Sequence, residues 1–167
     1  MLRHRALRIP ALLLAFLLLA TITTPGPPPP AGRAGTARLS ARAVPLDEDD
    51  PGRRRVGALI FLRGWELSSD DQSFGGLSAM QVEGARVIAV GDAGTLFEFD
   101  LPTGEGATEL RIVPLSAGGR SAKSGRDTES LALHGGRAWI GFEGLNAVAR
   151  YRRDGWAEES AARPDEP

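Results

Sequence analysis

Phe74-Gly75-Gly76-Leu77-Ser78-Ala79-Met80-Gln81-Val82-Glu83-Gly84-Ala85-Arg86-Val87-Ile88-Ala89-Val90-Gly91-Asp92-Ala93-Gly94-Thr95-Leu96-Phe97-Glu98-Phe99-Asp100 decides the fold class. It divides into three strands: Leu77 to Val82, Ala85 to Val90, and Thr95 to Leu101. The breaks between them, Glu83-Gly84 and Asp92-Ala93-Gly94, set glycine near an acid, the composition of tight hairpin turns with positive φ. The middle strand is apolar on both faces, with Ala85, Val87 and Ala89 on one and Ile88 and Val90 on the other. The third alternates, Thr95, Phe97, Phe99 and Leu101 against Leu96, Glu98 and Asp100, which predicts a half-exposed strand. A meander buried in its middle and wet at one edge predicts an all-β protein of stacked sheets.

Working outward, Val56 to Leu62 reads as the first strand before this meander, and Arg63 to Leu67 as a second. Ser68 to Ser73 is a polar loop. Beyond the meander, Leu110 to Leu115 is a strand, and Ser116 to Arg126 is a Gly/Ser loop carrying Arg120, Lys123 and Arg126. Strands then recur at Leu131 to His134, Arg137 to Phe142 and Asn146 to Arg152, with turns at Gly135-Gly136 and Glu143-Gly144. This last third repeats the first meander. Glu129-Ser130-Leu131-Ala132 aligns with Gly75-Gly76-Leu77-Ser78, and Arg137 to Glu143 aligns with Arg86 to Asp92. A repeat of about 50 residues built from strands is the period of propeller blades.

The remaining segments set the domain limits. Residues 1–34 read as a signal peptide with a Pro-rich spacer: Arg3, Arg5 and Arg8 precede the apolar run Ala11 to Ala20, and Gly32-Arg33-Ala34 is a small-x-small cleavage site. The run is shorter than the ~20 residues of a membrane-spanning helix, so no membrane span is expected after processing. A cut after Ala34 removes four arginines and leaves 16 basic against 21 acidic groups, net −5. Residues 35–55 read as a disordered linker, small residues followed by Asp47-Glu48-Asp49-Asp50 against Arg53-Arg54-Arg55. The folded domain is expected over 56–157, with a polar tail at 158–167.

Composition excludes several classes. The chain has 167 residues, 42% hydrophobic and 25% charged, ordinary for a globular domain. It has no cysteine, which removes disulfides, thiolate–zinc sites and thiol catalysis. Arginine is abundant, but it is not clustered among aromatics as nucleic-acid binding requires, so no nucleic-acid partner is expected.

Gly64-Trp65-Glu66-Leu67, Phe74-Gly75-Gly76-Leu77-Ser78, Gly91-Asp92-Ala93-Gly94, Asp127-Thr128-Glu129-Ser130-Leu131-Ala132 and Phe142-Glu143 fall in an order that resembles the phytase-like domain, the family with esterase-like activity of phytase. The resemblance spans Leu59 to Tyr151. It implies an exported, periplasmic or secreted bacterial β-propeller and hydrolysis of phosphate or carboxyl esters. Two positions depart from the family pattern: Ala93 stands where the family has Arg, and Ser130 where it has Gly. A closed propeller needs at least four blades, and the roughly 110 residues here supply two or three. Self-association to complete the ring is therefore expected, or a degenerate, non-catalytic binding module.

Asp92, Asp127, Glu129 and Glu143 are the candidate site. Acids at the ends of buried strands in successive blades would converge near one mouth of the propeller. Such an all-oxygen set suits Ca²⁺, which would clamp a phosphate ester and offset its charge during attack by water. Each acid taken singly also suits the capping of a hairpin turn. Arg120, Lys123 and Arg126 suit either phosphate contact or a solvated loop. Ser78 with His134 is a poor serine-esterase pair, because Met80 replaces the glycine of a nucleophile elbow and no helix follows. Trp65, Trp139, Phe97 and Phe99 at strand spacing read as inter-sheet packing.

Overall fold

The structure is a computed structural model that describes residues 32–117 and 127–163. The signal-peptide reading falls almost wholly outside the described residues, as do Arg120, Lys123 and Arg126. Among the described residues, no helix is long and apolar enough to cross a membrane.

The chain is all-β. Strands β1 (Gly35–Val44), β4 (Gly64–Ser69), β5 (Leu77–Glu83), β6 (Arg86–Gly91), β7 (Thr95–Asp100) and β8 (Gly106–Pro114) form one antiparallel sheet. Its order is β4-β1-β8-β7-β6-β5. A second antiparallel sheet runs β12-β11-β10-β9, from β9 (Thr128–His134), β10 (Arg137–Phe142), β11 (Ala147–Arg152) and β12 (Ala157–Ala162). Thus β5–β8 and β9–β12 are each a four-stranded up-and-down meander, and β1 and β4 widen the first. A small hairpin, β2 (Arg55–Val56) with β3 (Leu59–Ile60), stands apart. Gly84 at φ +63° and Gly94 at φ +70° close the two turns of the central meander, a conformation that side chains with a Cβ adopt at a cost.

Two cores form on opposite faces of the six-stranded sheet. The sheet curls into a half-barrel, and one face gathers Leu67, Leu39, Leu110, Ile112, Phe97, Phe99, Val87 and Leu77. Phe74, from the β4–β5 loop, lies edge-on against Phe97 and Phe99, with ring centroids 5.3 and 6.4 Å away. The other face presents Ile88, Val90 and Leu96 to Ala138, Ile140, Ala149 and Tyr151 of the second sheet. Strand β6 is consequently buried on both sides, as its two apolar faces predict.

Four expectations are corrected. Residues 35–44 are not linker: β1 pairs with β4 on one side and β8 on the other, and Leu39 is fully buried. Its inward positions are small, so the period-2 pattern is faint in sequence. The polar tail is in part structured, since Ala157–Ala162 forms the edge strand β12 against β11. Val56 to Leu62 is not a core strand: Val56, Leu59, Ile60 and Leu62 are all exposed, Leu62 by 79%. Strand β7 is not half-exposed. Glu98 is buried because Arg111 reaches it at 2.6 Å and Arg86 approaches at 3.9 Å, and a carboxylate buried with such partners avoids most of the cost of leaving water.

Just before β1, the Gly32 N–H donates to Thr95 Oγ1 at 3.1 Å. A Cβ on Gly32 would lie 2.8 Å from Ile112, Ser73 and Thr95 side-chain atoms. The segment expected to precede a cleavage site is therefore packed against the first core.

Candidate cation site between the two meanders

The site forms where the ends of the two meanders meet. Asp92 follows β6, Glu143 follows β10, and Asp127 and Glu129 flank the first residue of β9. The two copies build this end alike. The Asp92 N–H donates to the Gly76 carbonyl at 2.9 Å, and the Glu143 N–H donates to the Asp127 carbonyl at 2.8 Å. Leu77 pairs with Gly91 in one meander, and Thr128 pairs with Phe142 in the other.

That register corrects the repeat alignment. By position in the sheet, Thr128 and not Leu131 is the counterpart of Leu77, a shift the sequence comparison missed. Both hairpins carry an irregularity at this point. Opposite Gly91–Val90 the ladder skips Ser78, and opposite Phe142–Gly141 it skips Glu129. A residue extra to its ladder is re-aimed, and at Glu129 this sends a carboxyl toward its neighbours.

One carboxylate oxygen each from Asp127, Glu129 and Glu143 lie within 4.8 Å of one another. All three residues are exposed. The Glu129 carboxyl is pushed above the ordinary carboxylate range, first by loss of hydration and then by the charges of Asp127 and Glu143. A hydrogen bond to Asp127 and the charge of Asp92 act in the same direction. Asp92 is thus beside the cluster without belonging to its tight triad. Its Oδ1 is buried and has no hydrogen-bond partner among the described residues, so that oxygen caps no turn there.

Two residues fix Asp92. Gly76, at φ +53°, would place a Cβ 2.5 Å from Asp92 Oδ1, so only glycine lets the β5 entry pass so close. Thr128, fully buried, donates its hydroxyl to the Gly91 carbonyl at 2.5 Å and so ties β9 to the end of β6. The role of Thr128 is invisible in sequence, where it is one hydroxyl between two acids.

The other candidates do not assemble. Ser78 is exposed, and its hydroxyl donates to its own loop at Gly76 O, 3.4 Å away. His134 ends β9 at the Gly135-Gly136 turn, about 20 Å along the strand from Thr128 at ~3.3 Å per residue, so the pair forms no triad. Phe97 and Phe99 are core packing. Trp65 is half-buried with the Arg63 guanidinium 5.3 Å above its ring. Trp139 is half-buried in the second sheet.

The donor set of Asp127, Glu129 and Glu143 is all oxygen, tightly spaced and electrostatically strained, with Asp92 beside it. Those properties fit a hard divalent cation of the Ca²⁺ type. Comparison with known proteins matches the chain to the phytase-like model, described as esterase-like activity of phytase, over residues 72–167. The matched range begins after the Gly64-Trp65-Glu66-Leu67 motif and includes β12. No curated protein matches the chain.

Proposed function

Because the chain belongs to the phytase-like family, described as esterase-like activity of phytase, we propose that it is an exported hydrolase of phosphate esters that works with a bound Ca²⁺. The observation that carries this is the convergence of Asp127, Glu129 and Glu143 beside the unpartnered Oδ1 of Asp92. Asp127, Glu129, Glu143 and Asp92 would hold the ion. When bound, it supplies positive charge that offsets the phosphate's own and stabilises charge developing in the displacement. The chain's residues keep the acids at a fixed spacing. Thr128 locks the two meanders together, Gly76 admits the backbone close to Asp92, and the bulge aims Glu129. In the net reaction water adds its oxygen to phosphorus, the P–O bond to the alcohol breaks, and the alcohol leaves with a proton.

Release of inorganic phosphate from a simple aryl phosphate tests this. Activity is expected with Ca²⁺ and not with chelator, and Glu129→Gln should lower kcat/KM by ~100-fold, about 2.7 kcal/mol of transition-state stabilisation. Equal rates with ion and chelator would overturn the reading. The altered positions Ala93 and Ser130 favour the second reading, a binding module without catalysis, which predicts Ca²⁺ binding and no turnover.

Export rests on Arg3, Arg5 and Arg8 ahead of Ala11 to Ala20. Intact-mass measurement on protein from its native host should find a mature chain starting near Gly35, in the periplasm or medium. A cytosolic form retaining Met1 contradicts it.

The two meanders are proposed as adjacent propeller blades, supported by their common strand order and matching ends. An incomplete ring would then seek further blades, and sedimentation should show self-association that grows with concentration. A monomer at all concentrations contradicts this.

A further inference from the structure

The second sheet carries a groove beside the acids that the cation reading leaves unused. Its volume is about 510 Å³, and Glu129 and Glu143 line it together with Ser130, Gly141, Val148 and Ala162. The last four form one row straight across the sheet: Ser130 pairs with Gly141, Gly141 with Val148, and Val148 with Ala162. Each is small or apolar, and a Cβ on Gly141 would collide with Ser130 Oγ. The floor is therefore shallow and nearly free of charge. Arg163 is the one cationic side chain among the lining residues, against the two glutamates.

Resting on the cation reading above, we propose that this groove binds the alcohol portion of the ester, and that the portion is apolar. The ester's phosphate would sit toward Glu129 and Glu143 with the ion, and its organic group would lie along the row Gly141, Val148 and Ala162. The volume suits an aryl or short alkyl group, within the range of ligand pockets generally. A polyol finds only Ser130 and Asn146 as neutral hydrogen-bonding side chains in the groove, and along the row Gly141, Val148 and Ala162 it loses hydration without return. A polyphosphorylated alcohol would also bring further negative charge against the two glutamates, with a single arginine to answer it.

Calorimetric binding of non-hydrolysable probes in Ca²⁺ tests the assignment. Phenylphosphonate is expected to bind ~10-fold more tightly than methylphosphonate, the scale of added apolar contact in a pocket. The phosphonate analogue of myo-inositol monophosphate should bind no better than methylphosphonate. Val148→Asn and Ala162→Phe, at exposed positions, should each abolish the phenyl preference and leave Ca²⁺ binding as in the wild type. Equal affinity for phenyl and methyl probes, or tighter binding of the inositol phosphonate, overturns the groove assignment. Failure of the underlying cation reading looks different: the phenyl preference persists, but chelator leaves every affinity unchanged.

Discussion

Phe97→Ala should destabilise the chain by about 3–5 kcal/mol, the cost of deleting a buried aromatic ring. Phe97 is fully buried, pairs with Ala89 and Ile112 across the ladder, and receives the edge of Phe74 at 5.3 Å. Its removal empties the centre of the half-barrel, where strands on both sides rely on the same ring. Domains are stable by only about 5–15 kcal/mol, so the loss is a large share of the total. Thermal unfolding should shift down by roughly 10 °C or more. Leu62→Ser is the contrast. Leu62 is 79% exposed on the loop after the outlying hairpin, and a surface change of this kind should stay within about 0.5 kcal/mol. A Phe97→Ala effect as small as that of Leu62→Ser would mean that this face is not a packed core.

Ca²⁺ should stabilise the folded chain by about 2.7 kcal/mol when present at a hundred times its dissociation constant, because the unfolded chain does not assemble the site. The sign of the pH effect follows from Glu129. Its carboxyl is raised by lost hydration and by Asp127 and Glu143, so the folded, ion-free protein binds that proton more tightly than the unfolded chain. Below the ordinary carboxylate pKa the cluster carries no penalty. As pH rises from there through Glu129's raised value, ion-free stability falls relative to Glu129→Gln. Glu129→Gln should therefore be more stable than wild type at neutral pH without Ca²⁺, and less responsive to it. Denaturant melts of both proteins, with chelator and with excess Ca²⁺, read this directly. Identical curves under the two conditions would reduce the four acids to turn residues.

Local signals were readable and non-local ones were not. The strands of the central meander, its turn glycines and the buried β6 followed from alternation and from acid–glycine breaks, because hairpins are specified by neighbours in sequence. Strand β1 escaped notice because its partners, β4 and β8, are distant and its inward side chains are mostly small. Strand β12 escaped for a similar reason: Ala157-Glu158-Glu159-Ser160-Ala161-Ala162 has little intrinsic strand preference, and pairing with β11 supplies what it lacks. The opposite error arose at Val56 to Leu62, an apolar run whose Val56, Leu59, Ile60 and Leu62 stay exposed. Glu98 looked like a solvent-facing position until Arg111, on the neighbouring strand, gave it a partner.

The acids show the same division. Their identity and order were legible, since Asp92 and Glu143 end equivalent strands. Their spacing was not, because it depends on the ladder irregularity at Glu129 and on the Thr128 bond to Gly91. The groove row Ser130, Gly141, Val148 and Ala162 was equally hidden, being four residues from four strands that only the register brings into line.

Titration calorimetry of Ca²⁺ into the ion-free chain and into Glu129→Gln tests the central claim most directly. One ion per wild-type chain, with binding lost or weakened at least tenfold in the variant, is the expected result. No binding heat to the wild type, or equal binding to both, would contradict a cation site formed by Asp92, Asp127, Glu129 and Glu143.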